Sequence, residues 1–103
     1  MDLKNKKVVV IGSGKSGQAV AQFVRRLGGI PRISEQQPLS AMSGEFQTWI
    51  RDEKIQTEFG GHTEKFIGEN DLIVLSPGVR FDALPAQWAR AKKIPVVGEI
   101  ELA

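Results

Sequence analysis

The segment KVVVIGSGKSG, residues 7–17, joins a run of four apolar residues to a G-x-G-x-x-G motif. A continuous apolar run of this kind is typical of a strand that is buried on both faces of a parallel sheet. Apolar residues then recur with helical spacing from Val20 to Leu27, and Gly28-Gly29 ends that pattern. The segment therefore predicts a strand, a glycine loop and a helix in succession.

The rest of the chain repeats this alternation of strand and helix. Further strands are predicted at residues 30–34, 55–59, 72–75 and 95–97. Helices are expected across Met42 to Ile50 and after an Asp82 cap, with Pro85 in the first turn of the second of them. Because parallel strands need crossover connections, the pattern predicts an α/β fold. We expect one Rossmann-like domain over residues 1–103, with a doubly wound five-stranded parallel sheet of order 3-2-1-4-5 and helices on both faces.

The composition excludes several classes of protein and site. The 103 residues are 41% hydrophobic and 25% charged, as in a soluble single domain. No cysteine is present and there is only one histidine, which excludes thiolate and multi-histidine metal sites. No apolar run approaches the roughly 18 residues of a membrane span. Tyrosine is absent and no basic, aromatic-rich stripe occurs, so neither a membrane nor a nucleic acid is expected as a partner.

The net charge of +2 is unevenly distributed along the chain. Within residues 1–32 the basic side chains far outnumber the single acidic one, Asp2. These basic residues are Lys4, Lys6, Lys7, Lys15, Arg25, Arg26 and Arg32. They could favour an anionic ligand such as a phosphate, or they could simply lie on solvated surfaces.

The glycine motif predicts a binding site for a phosphate or a dinucleotide. Gly12 allows a tight turn, Gly14 lets a phosphate approach the backbone, and Gly17 lets the helix pack closely on the strand. Unpaired N–H groups at the start of the helix would face the anion. The candidate residues are Gly12, Ser13, Gly14, Lys15, Ser16 and Gly17. An ATP-binding P-loop is excluded, because Val9 stands where that motif requires glycine.

Two further groups of candidates follow predicted strands. Glu35 ends the second strand, where a carboxylate commonly accepts hydrogen bonds from a ribose, and Gln36 beside it could read the edge of a base. Ser76 and Gly78 end the fourth strand, next to the glycine loop in the expected order. A solvated loop and a simple Pro-Gly turn are the respective alternatives. His62 is interpreted as a loop residue.

Taken together, these motifs resemble the N-terminal domain of the Mur ligases of peptidoglycan synthesis that add D-glutamate to UDP-N-acetylmuramoyl-L-alanine. The resemblance spans the whole chain and rests on three stretches: residues 7–28, DLIVLSPGV at residues 71–79, and IPVVGEIELA at residues 94–103. It implies a domain that holds the UDP part of the substrate. The diphosphate would lie on Ser13, Gly14, Lys15 and Ser16. Glu35 and Gln36 would read the uracil, and Ser76 and Gly78 would border the nucleotide.

The resemblance also implies a larger parent enzyme, which forms an amide with ATP and magnesium in the cytoplasm and serves cell wall biogenesis, cell shape and cell division. The ATP, metal and D-glutamate residues would belong to central and C-terminal domains, so we expect these 103 residues to bind without catalysing. In some family members Asp-Thr-Arg follows the second strand, with the arginine against the base, whereas this chain has Glu35-Gln36-Gln37. The remaining alternatives are an NAD-binding domain of a dehydrogenase, a regulatory nucleotide sensor, and an interaction module that binds no nucleotide.

Overall fold

A computed structural model describes residues 2–12 and 14–102 and shows alternating strands and helices. The elements are β1 (Lys7–Ile11), α1 (Gly14–Arg26), β2 (Ile30–Glu35), a 3₁₀ turn (Leu39–Ala41), α2 (Gly44–Asp52), β3 (Gln56–Phe59), α3 (Glu64–Gly68), β4 (Leu72–Leu75), α4 (Leu84–Ala91), β5 (Val96–Gly98) and α5 (Glu99–Leu102). All strand pairs are parallel and the order is β3-β2-β1-β4-β5, which confirms the predicted fold. Among the helices of the described residues, none is long and apolar enough to cross a membrane.

Strand β1 lies at the centre of the sheet and is buried on both faces. Val8 and Val10 belong to a core cluster with Val20 and Val24 of α1. Val9 and Ile11 contact the opposite cluster, which includes residues of α3 and α4. A third cluster joins β2 to α1 and α2. Because neighbouring residues of β1 serve opposite cores, helices must cover both faces of the sheet.

Two helix starts differ from the sequence prediction. Helix α2 begins at Gly44, because Ser43 caps it: the Ser43 hydroxyl accepts a hydrogen bond from the Phe46 N–H. Met42 therefore precedes the helix. The prediction that Asp82 caps α4 is wrong, since the cap residue is Ala83 and has no side-chain cap bond. The Asp82 carboxylate instead accepts hydrogen bonds from the guanidinium of Arg80, two residues earlier. Pro85 does lie in the first turn of α4, as predicted.

Arg32 is a buried cation inside β2, which the sequence analysis did not predict. Only 5% of the residue is exposed. Its guanidinium donates to the Gln56 and Asn70 side chains and to the Phe66 carbonyl, and it forms a 3.1 Å ion pair with Glu69. The same group lies 3.8 Å from the centre of the Phe66 ring. Arg32 thus ties β2 and β3 to the short helix α3 and to the residues that follow it.

We expect Arg32→Ala to lower the free energy of unfolding by about 3 kcal/mol, because it leaves a cavity and removes the donor to the side-chain oxygens of Asn70 and Gln56. The control is Arg51→Ala, whose side chain is 76% exposed beside Asp52 and should change stability by less than about 0.5 kcal/mol. Urea unfolding of both variants measures the difference. Equal stabilities would show that the Arg32 contacts contribute little.

Candidate functional site

A cleft of about 740 Å³ lies at the carboxyl ends of the strands, where ligands of doubly wound sheets bind. It spans the gap between β1 and β4, where the order of the strands reverses. Its walls include Ile11, Gly12, Glu35, Gln36, Gly60, Gly61, His62, Gly78, Val79, Arg80, Ala83, Leu84, Pro85 and Trp88. Four of the sequence candidates therefore share one cleft: Gly12, Glu35, Gln36 and Gly78.

The glycine loop leaves no room for side chains at two of its positions. Gly12 has a φ of +98°, and a Cβ there would lie 3.2 Å from the Ser76 side chain. A Cβ on Gly17 would lie 2.8 Å from the Gly12 carbonyl oxygen, which matches the predicted close packing of α1 on β1. Ser13 lies outside the described residues, as does the side chain of Lys15. Gly14 and Ser16 belong to the first turn of α1.

The turn after β4 brings a buried hydroxyl beside this loop. Val79 donates a backbone hydrogen bond to the Ser76 carbonyl, and Gly78 has a φ of +93°, as expected for a Pro-Gly turn. Ser76 is only 6% exposed. Within the described part of the chain its Oγ atom has no hydrogen-bond partner. A buried hydroxyl without a partner is costly, so this atom is a candidate contact for a ligand or a water.

The loop after β2 is held by the loop after β3. The Glu35 carboxylate accepts a 2.7 Å hydrogen bond from the Gln37 N–H. Gly60 donates to the Gln37 carbonyl and Gly61 to the Glu35 carbonyl. Both glycines have positive φ, so they form a backbone corner that other residues rarely adopt. The Glu35-Gln36 segment is thereby fixed against β3 at the edge of the cleft.

His62 is a member of the cleft wall that the sequence analysis placed only in a loop. Its Nδ1 atom lies 2.6 Å from the Ser34 hydroxyl, and that hydroxyl donates a 2.7 Å hydrogen bond to Glu58. Burial lowers the pKa of His62 below its ordinary value of 6.5, although the negative charges of Glu58 and Glu35 act in the opposite direction. The sequence offered one signal for this residue, a single histidine directly after Gly60-Gly61. Its contacts with Ser34 and, through Ser34, with Glu58 could not be inferred from that signal.

The three lysines around the start of β1 do not line the cleft. Lys4, Lys6 and Lys7 are exposed, in keeping with the solvated alternative. Trp49 and Trp88 pack against core clusters, and Trp88 also lines the cleft. Over residues 2–12 and 14–102, no three His, Asp or Glu side chains group in a way that could hold a metal ion.

Gly17→Ala should lower stability by about 1–3 kcal/mol, because its Cβ meets a backbone carbonyl that cannot easily move. Gly44→Ala is the matched control, since a Cβ at the start of α2 has nothing within 4 Å. That variant should be neutral or slightly more stable. Thermal unfolding compares the two, and a neutral Gly17→Ala would contradict the close approach of α1 to β1.

Acid should destabilise the fold partly through His62. Its pKa in the folded chain is lowered, so the unfolded chain binds a proton first as the pH falls below 6.5. The contribution of neutral His62 to the free energy of unfolding is fully present above pH 6.5, and it is lost as the pH falls through the pKa of the folded chain. We expect the Tm of the wild type to fall more than that of His62→Gln between about pH 7.5 and about pH 5.5. Equal falls would exclude this linkage.

Comparison with known proteins places the chain in a family. Residues 6–98 match the model of the Mur ligase MurD-like N-terminal domain. The chain is 42% identical over 103 residues to the UDP-N-acetylmuramoylalanine–D-glutamate ligase of Koribacter versatilis. All of this chain is matched, but it spans only 22% of that relative's length.

Two solved structures show the same fold. The UDP-N-acetylmuramate–alanine ligase of Thermotoga maritima matches 95% of this chain and 22% of its own, with a TM-score of 0.73 and 23% identity. A pseudomurein peptide ligase type C from Methanothermus fervidus matches 95% of this chain and 20% of its own, with a TM-score of 0.77 and 22% identity. The match to the family model and the identity over the whole chain agree with the fold, and the chain belongs to the Mur ligase family as a MurD-like N-terminal domain.

Proposed function

We propose that this domain binds the UDP part of UDP-N-acetylmuramoyl-L-alanine in a ligase that adds D-glutamate to it during peptidoglycan synthesis. The observation that carries the proposal is the buried Ser76 hydroxyl, which has no partner in the described residues and lies beside the glycine loop. A bound phosphate or sugar would supply the missing hydrogen bond. The name of the relative from Koribacter versatilis supplies the substrate class.

The diphosphate would lie over the glycine loop and the start of α1. Gly12 and Gly17 let the loop pack closely against its neighbours, and Gly14 has no side chain that would obstruct an anion. The N-terminal N–H groups of α1, including that of Ser16, have no carbonyl partner within the helix. Helix α1 carries no acidic residue in its first turn, so no side chain of that turn competes with an anion. Ser13 and Lys15 complete the proposed phosphate site, and Gly78 borders it from the opposite loop.

The nucleoside would extend from β1 towards β2 and β3. Glu35 and Gln36 line this end of the cleft, and the hydrogen bonds from Gly60 and Gly61 hold their segment in place. Glu35 offers carboxylate oxygens and Gln36 an amide that can both donate and accept. Uracil presents N–H and C=O groups on one edge, so a carboxylate and an amide are suitable partners for it.

The chemistry of the parent ligase would be supplied by other domains. ATP-dependent amide formation requires a site for ATP and magnesium, and Val9 occupies the position where a P-loop needs glycine. We assign this domain the binding and positioning of substrate, in a cytoplasmic enzyme of cell wall biogenesis. An NAD-binding domain is the alternative, and it is favoured by the carboxylate of Glu35 at the end of β2.

Ser76→Ala should separate binding from stability. Removing a buried hydroxyl without a partner should leave the fold equally stable or more stable by up to about 1 kcal/mol, while UDP affinity falls about 3- to 10-fold. Ser40→Ala, in the exposed 3₁₀ turn, is the control and should change neither. Titrations of the ¹⁵N-labelled chain with UDP and with NAD measure the affinities. Binding of NAD but not UDP, or of neither nucleotide, would refute the proposal.

A further inference from the structure

We propose that His62 is a specificity-determining residue of the nucleotide site, and that its Nε2 atom accepts a hydrogen bond from an N–H or O–H group of the nucleoside. This inference rests on the proposed function, because it takes a nucleoside diphosphate as the ligand of the cleft. His62 shares the cleft wall with Glu35 and Gln36. The positive φ angles of Gly60 and Gly61 turn the chain so that His62 follows immediately at the cleft.

A count of hydrogens determines which ring nitrogen of His62 carries its proton. Glu58 is bound by three donors: the Ser34 hydroxyl at 2.7 Å, the Thr63 N–H at 2.9 Å and the Thr63 hydroxyl at 2.8 Å. A carboxylate only accepts, so the single hydroxyl hydrogen of Ser34 points at Glu58. The 2.6 Å contact between Ser34 Oγ and His62 Nδ1 then requires Nδ1 to be the donor.

The neutral ring therefore presents Nε2 as an acceptor. In the described residues Nε2 has no protein partner, whereas Nδ1 is held by Ser34. Burial of the ring favours the neutral form, and the carboxylates of Glu58 and Glu35 oppose it. Arg80 also belongs to the cleft wall, but its guanidinium is bound to Asp82. At neutral pH the His62 side chain thus offers a lone pair and no free hydrogen.

A lone pair in this position suits a nucleoside and not a phosphate. Phosphate oxygens are acceptors, so they gain nothing from a second acceptor, whereas uracil N3–H and the ribose hydroxyls are donors. His62 follows β3, which is separated from β1 by β2, so the two strands lie about 10 Å apart across the sheet. That separation is comparable to the distance from a diphosphate to the base or sugar of its own nucleoside.

The tautomer can be measured before any ligand is added. His62 is the only histidine of the chain, so its two ring nitrogens are identified without ambiguity in long-range ¹H–¹⁵N spectra. We expect a protonated, pyrrole-type Nδ1 and a pyridine-type Nε2 at neutral pH. Addition of UDP should move the Nε2 resonance towards the pyrrole-type position, because the lone pair then accepts a hydrogen bond. The opposite tautomer in the free protein would overturn the inference.

A matched pair of variants separates the two nitrogens. His62→Asn can keep the donor to Ser34 but has no atom at the Nε2 position, whereas His62→Gln places an amide oxygen near that position. We expect His62→Asn to lose about 3- to 10-fold in UDP affinity and His62→Gln to lose less. Thermal unfolding and ¹⁵N spectra verify that both variants fold.

Two analogues identify the donor. N3-methyl-UDP removes the N–H of the base, and 2′-deoxy-UDP removes one ribose hydroxyl. In the wild type, one of the two analogues should bind about 3- to 10-fold more weakly than UDP. In His62→Asn, that analogue and UDP should bind with equal affinity, because the acceptor of the deleted hydrogen bond is already absent. If the wild type binds no UDP, both this inference and the proposed function fail. If UDP binds with an unmoved Nε2 resonance and both variants keep full affinity, only the inference about His62 fails.

Discussion

The whole domain depends on the double burial of β1. This strand pairs with β2 on one side and β4 on the other, and its consecutive residues face two different cores. A strand in that position can leave neither face uncovered, so α1 must lie on one face, and α3 and α4 on the other. The chain forms β2 and β3 on one side of β1 and then crosses back to form β4 on the other side, and this reversal opens the crevice at the carboxyl ends of β1 and β4. The location of the cleft is therefore a consequence of how the core is built.

The second constraint is the lack of space where β1, α1 and β4 meet. Gly12 and Gly17 approach each other too closely for a Cβ on Gly17, and Ser76 lies against both of them. A residue larger than serine at position 76 would disturb the packing of α1 on the sheet. The Ser76 hydroxyl itself has no hydrogen-bond partner in the described residues. An unpaired buried hydroxyl does not stabilise the domain, so its presence at this closely packed place is expected where a ligand completes the structure.

Local pattern was sufficient to predict the parts of the fold that depend on neighbouring residues. The apolar run of β1, the glycine loop and the strand order followed from spacing and from the handedness of crossovers. Arg32 could not be predicted to be buried, because its partners Gln56, Glu69 and Asn70 come from elements far along the chain. The bond between His62 and Ser34 spans 28 residues and was missed for the same reason. The Asp82 cap was wrong because Arg80 competes locally for that carboxylate.

The two ends of the cleft differ in hydrogen-bonding character, and the strands dictate that difference. Beside the end at β1 and β4 lie the first turn of α1 and the buried Ser76 hydroxyl, whose N–H and O–H groups are donors suited to an anion. The end at β2 and β3 offers the Glu35 carboxylate and the His62 ring. Because the Ser34 hydroxyl donates to Glu58, the His62 Nδ1 carries the ring proton and its Nε2 is left as an acceptor. A nucleoside diphosphate has the complementary polarity, with acceptors at its phosphates and donors on its base and sugar. A ligand that entered the cleft in the reverse direction would bring its phosphates towards two acceptors, so under the proposed function the same arrangement would also select the orientation of the nucleotide.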